Sequence, residues 1–132
     1  MDTNGTVSLD TGELTLEQIN LILTNLPVDV TFIDEYDEVR YYSQKEKPIY
    51  PRSPEIIGQP VINCHSPQSY AKVEALLEDL RSGKSDVIES WAQADGQIIH
   101  IRYFAIRDKE NNYKGCMEVF QDVTQVRAHE GE

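Results

Sequence analysis

The sequence predicts an α+β fold: a five-stranded antiparallel sheet with helices on one face and a helix at its N-terminus. Two observations predict it. Periodic segments run in the order helix, two strands, irregular crossing, long helix, three strands. An antiparallel sheet with helices on one face is the simplest packing for that order. The chain has 132 residues, enough for one domain with a real core.

Residues 1–13 carry little apolar pattern and read as a loose leader to a domain over 14–128, with a short tail over 129–132. The first helix opens on a Thr15-x-x-Gln18 capping box. Leu16, Ile19, Ile22, Leu23 and Leu26 follow at helical spacing, and Pro27 stops the run. Val28–Ile33 and Val39–Ser43 alternate like strands around the polar turn Asp34–Glu38, which makes a hairpin. Residues 44–65 hold Pro48, Pro51, Pro54, Gly58 and Pro60, so only a short helical turn at Ser53–Ile57 is expected there. The long helix is capped by Ser66, carries the stripe Tyr70, Val73, Leu76, Leu77 and Leu80, and ends at Gly83. Val87–Gln93, Gln97–Arg107 and Tyr113–Val123 read as three strands joined by polar turns. The long helix is expected to lie over the sheet and close a small cavity beneath it.

Apolar residues make up 39% and charged residues 27%, as in a soluble globular protein. Twelve basic against 23 acidic residues give a net charge of −11. That field repels phosphate backbones and anionic lipid, so neither nucleic acid nor membrane is an expected partner. The sequence has no apolar run of about 18 residues and no secretory signal pattern, which points to the cytoplasm. Cys64 and Cys116 are far apart and are expected to be reduced thiols. No GxSxG elbow, P-loop or HExxH is present, so the chain is not expected to be an enzyme.

The stretch Asp95-Gly96, then Ile101–Asp108, Lys114-Gly115 and finally Gln121-Asp122-Val123-Thr124 resembles the end of a PAS domain. Leu26–Asp34 resembles the first PAS strand. Asn63–Pro67 and Arg81–Lys84 resemble a bacterial PAS subfamily often found C-terminal to hemerythrin-like cation-binding domains. The resemblance covers about residues 14–128. It implies a bacterial regulatory module that binds a small molecule or cofactor and signals through a homodimer or a neighbouring regulatory domain, the hemerythrin-like one included. It implies Asp122, Val123 and Thr124 as the signal output. Flavin is not expected, because His65-Ser66-Pro67 follows Asn63-Cys64 where flavin-binding members carry their phosphate-binding arginine.

The resemblance makes His65 a candidate metal ligand if haem is bound; the alternative is a histidine packed in its loop. Ligand-lining candidates are Phe32, Tyr70, Val73, Leu77, Trp91, Ile101 and Met117, with Tyr41, Cys64, His65 and Tyr103 as polar anchors. Tyr41-Tyr42 and Tyr50-Pro51-Arg52 either stack a planar ligand or pad the crossing. His100 and Arg102 share the strand face opposite Ile101 and Tyr103. That face, with Ile98, Phe104 and Phe120, and the first helix, with Leu16, Ile19 and Leu23, are the candidate dimer surfaces. An ion pair from Arg102 to Glu118 is the alternative reading of the strand face. A second reading of the whole chain is a ligand-free interaction module.

Overall fold

The structure is a computed structural model describing residues 5–128. The expected tail at 129–132 lies outside them. Part of the expected loose leader instead forms a small antiparallel ladder, β1 (Thr6–Ser8) with β2 (Glu13–Thr15). Strands of three residues are too short to show periodicity, so no pattern announces them.

The first helix, α1 (Leu16–Asn25), starts where the capping box places it. Gln18 N donates to Thr15 Oγ1 at 3.0 Å, and Thr15 N donates to Gln18 Oε1 at 2.9 Å. It buries no residue, and Leu21 and Ile22 stand exposed.

The hairpin β3 (Asp29–Asp34) and β4 (Val39–Tyr42) joins the meander β5 (Val87–Ala94), β6 (Gln97–Arg107) and β7 (Tyr113–Asp122) in one antiparallel sheet. The strand order is β4-β3-β7-β6-β5, so the first and last strands of this sheet in chain order lie side by side. Gly115 permits that meeting: at φ 144° it lies where a Cβ would collide with the Ile33 carbonyl oxygen.

Single helical turns at Pro54–Ile56, Val61–Cys64 and Pro67–Ser69 carry the crossing to α2 (Tyr70–Ser82). The second helix ends at Gly83 in the left-handed conformation, φ 85°. Arg107 Nη2 donates to the Leu80 carbonyl at 2.5 Å and satisfies part of the open helix end. Arg81 grips both Asp37 carboxylate oxygens, at 2.6 and 2.7 Å, and ties α2 to the β3–β4 turn. Beneath α2 lies the core: Ile33, Val39, Val61, Leu77, Leu80 and Cys116. After β7, Asp122 Oδ1 accepts from Thr124 N and Thr124 Oγ1, and a short helix α3 (Thr124–Ala128) begins. No helix among the described residues is long and apolar enough to cross a membrane.

Candidate ligand cavity

Register fixes which side chains face inward. The pairings Ile33 with Cys116 and Cys116 with Ala105 place one row across β3, β7 and β6 under α2. Two residues along, Thr31 pairs with Glu118 and Glu118 with Tyr103. Side chains two apart share a face, so this second row continues the inner surface. The next row on that face holds Phe120 and Ile101.

Over the second and third rows lies a cavity of about 520 Å³. Thr31, Glu118, Tyr103, Phe120 and Ile101 form its floor, and Tyr50, Arg52, Ile56, Val61, Cys64 and His65 of the crossing form its wall. The expectation of a cavity under the long helix is therefore corrected. Val73 and Leu77 line only an adjoining void of about 20 Å³. The volume beneath α2 is filled by the core because Leu77 and Leu80 project into it. The proline-dense crossing cannot pack as closely as a helix, and the space remains there.

The floor carries charge. Glu118 is buried, and Arg52 Nη2 reaches its Oε1 at 3.4 Å, with both side chains largely removed from solvent. Burial pushes the Glu118 carboxyl up, while Arg52 and the Tyr103 hydroxyl pull it back. Tyr103 is pushed up by its own burial and then by the Glu118 charge. Thr31 is buried, and its Oγ1 has no hydrogen-bond partner among the described residues. Tyr50 packs edge-on against Phe120, ring centres 4.8 Å apart, and the Arg52 guanidinium lies 5.2 Å from the Phe120 ring centre.

At the rim, Cys64 is exposed and His65 half-buried. Burial raises the Cys64 thiol, helped by Glu118 and opposed by Arg52. Burial also lowers His65, which favours the neutral imidazole. Among the described residues, no group of three or more His, Cys, Asp or Glu is placed to hold a metal ion.

Of the ligand-lining candidates, Cys64, His65, Ile101 and Tyr103 meet at this cavity. Phe32, Tyr41, Trp91 and Met117 do not. Phe32 pairs with Tyr41 and Met117, and Trp91 with His100, all on the outer face. Tyr70 sits exposed at the start of α2 and lines neither space. Phe120 moves the other way: expected outside, it lies on the cavity floor because it pairs with Ile101. The Arg102–Glu118 ion pair does not form, since Arg102 faces out opposite Val119 and donates to Gln121 Oε1 at 3.1 Å. Sequence reasoning misses the inward Thr31 and Glu118. A period of two counted back from Phe120 through Glu118 to Cys116 is the available signal.

The outer face keeps His100, Arg102 and Phe104 together with Ile98. Trp91 stacks on His100 at 4.2 Å and is largely exposed, as is Val87. The backbone of Ile98 meets the end of the sheet: its carbonyl accepts from Val123 N and its N–H donates to Thr124 Oγ1.

A family model described as PAS domain matches residues 19–124. No curated protein matches the chain. A crystal structure of a C-terminal domain from Streptococcus mutans is 32% identical, covering 96% of this chain and 98% of that one at a TM-score of 0.89. A PAS domain from Colwellia psychrerythraea, 17% identical, superposes with a TM-score of 0.61 over 83% of this chain and 98% of its own. A sensory box sensor histidine kinase from Vibrio cholerae, 10% identical, does so at 0.57 over 80% and 90%. With the sheet order, the helix over its inner face and the match across residues 19–124 agreeing, the chain belongs to the PAS domain family.

Proposed function

We propose that this domain is a sensor that binds a small molecule in the cavity and passes the signal along β7, in a role that is binding and not catalysis. The observation that carries the reading is the buried Arg52–Glu118 pair on the cavity surface, beside the unpartnered Thr31 hydroxyl. A module filled only for stability has no use for such groups, because a buried ion pair adds little over apolar packing and the partnerless Thr31 hydroxyl costs about 1–3 kcal/mol. Glu118 and Phe120 on the floor lie on the strand that ends at Asp122, the cap of α3. A ligand that shifts β7 therefore acts directly on Asp122, Val123 and Thr124, and biases the packing of α3. The outer face around Ile98, Phe104 and Trp91, with α1, where Leu21 and Ile22 stand exposed beside the half-buried Leu16, Ile19 and Leu23, is the surface offered to a second copy or a neighbouring regulatory domain.

Haem fits this cavity poorly. His65 could present a neutral imidazole at the rim, yet a porphyrin laid on the floor would press its apolar face on Glu118 and Thr31. The test of the sensor reading is native mass spectrometry of the gently purified chain, with thermal unfolding across metabolite extracts. A co-purifying small mass or a reproducible rise in Tm is expected. Absence of both, with a dimer in sedimentation, would leave the interaction module as the function.

A further inference from the structure

Resting on the sensor reading above, we propose that the cavity selects an uncharged ligand bearing adjacent hydrogen-bond donor and acceptor groups, of the amide, lactam or ureide class, on a flat apolar body. Thr31, Glu118 and Tyr103 stand side by side on three neighbouring strands, and Arg52 faces them from the crossing. The Arg52–Glu118 pair already balances its own charge. An anionic ligand would compete with Glu118 for the guanidinium and leave a buried carboxylate unpaired. A cationic one would displace Arg52 in the same way, and either outcome is costly in a buried site.

A neutral amide edge avoids both. Its carbonyl accepts from Arg52, which has five N–H donors and spends one on Glu118 at 3.4 Å. Its N–H donates to the carboxylate, which has acceptor capacity beyond Arg52 and Tyr103. The Thr31 hydroxyl, buried and unpartnered, takes part as donor or acceptor. Phe120, Ile101, Val61 and Tyr50 surround the rest of the ligand with apolar surface. One long ion-pair contact and one unpartnered hydroxyl are thereby exchanged for a closed hydrogen-bond set.

Four probes sharing one ring and differing in head group test this: benzamide, benzoate, benzylamine and toluene, titrated into the full chain with NMR detection at Ile101, Tyr103 and Phe120. Benzamide is expected to bind about tenfold more tightly than each of the others, the size of one or two buried hydrogen bonds. Tighter binding of benzoate or benzylamine, or equal binding of toluene, would keep the cavity as a binding site and overturn the ligand class. No response to any probe at those residues would overturn the cavity reading itself. Glu118→Gln frees Arg52 and is expected to reverse the order of benzamide and benzoate. Should that variant not fold, Thr31→Val, close in shape, is expected to weaken benzamide about fivefold and leave toluene unchanged. An unaltered order of benzamide and benzoate in Glu118→Gln, or undiminished benzamide affinity in Thr31→Val, would sink the proposal.

Discussion

The inner face of the sheet has two halves built from the same three strands. Under α2 the cross-strand row is Ile33, Cys116 and Ala105; two residues along, under the crossing, it is Thr31, Glu118 and Tyr103. The first row meets Leu77 and Leu80 and is sealed. The second meets an irregular segment and borders the cavity. The backbone does not distinguish the halves; their covers do. A helix delivers side chains at fixed spacing and fills space, whereas a chain broken by proline leaves space that polar groups can face. One half therefore carries stability and the other is free to carry recognition.

The largest expected effect is on the sealed half. Leu80 is fully buried against Ile33, Val39 and Cys116. Leu80→Ala is expected to cost about 4 kcal/mol in urea unfolding, the transfer loss plus the cavity left behind. A cost below about 1 kcal/mol would show that the sealed half collapses as readily as the open one, and the contrast would fail.

Arg52→Met tests the open half through pH. Glu118 is held above the ordinary carboxyl value of 4.5 by burial, with Arg52 pulling it down, so the variant raises it further. A folded-state pKa above the unfolded one stabilises fully at low pH, and that contribution is lost as pH rises through the folded value. The variant's deficit should be roughly 3 kcal/mol near neutrality, where an unpaired carboxylate stays buried, and should shrink as pH falls toward the unfolded value. Urea unfolding at about pH 5 and about pH 8 separates these. A deficit independent of pH would mean that Arg52 acts by packing on Phe120 alone.

Thr31→Val is a smaller change of opposite sign. It removes a buried hydroxyl without a partner, so the free protein should gain about 1 kcal/mol while losing ligand affinity. Such a trade of stability against binding is the mark of a group retained for recognition. A loss of stability would instead show that the hydroxyl is satisfied in the free protein.

Much of this architecture was legible. The capping box of α1, the bounds of β6, the helix end at Gly83 and the order of all five sheet strands along the chain follow from local chemistry and periodicity. The phase of the strands was not legible. In β3, Val30 and Ile33 are both buried although they face opposite sides, so alternation there does not say which side is in. Size and hydrophobicity place Trp91, Phe32 and Met117 inside, whereas register turns them outward. Register also turns Phe120 inward, and with it Glu118, whose charge argues for the surface. The cavity depends on partners 66 residues apart, Arg52 and Glu118, and a single sequence does not pair such positions.

The smallest effect sharpens the comparison most directly, because each half holds one cysteine. Cys116 belongs to the sealed row, is fully buried, and its thiol is pushed up to about 12 by burial and then by Glu118 and Asp37. Cys64 stands exposed at the cavity rim, raised by burial and Glu118 but eased by Arg52. Thiolates react and thiols do not, so an aromatic disulfide reagent near neutrality should label one cysteine in the native chain and two in denaturant. The native reaction should quicken as pH rises, since the Cys64 thiolate fraction grows. A ligand occupying the cavity should slow it, and Cys116 should appear only at the rate of unfolding. If both cysteines label together in the native chain, the row under α2 opens as easily as the crossing, and the division of the sheet into a sealed and an open half is wrong.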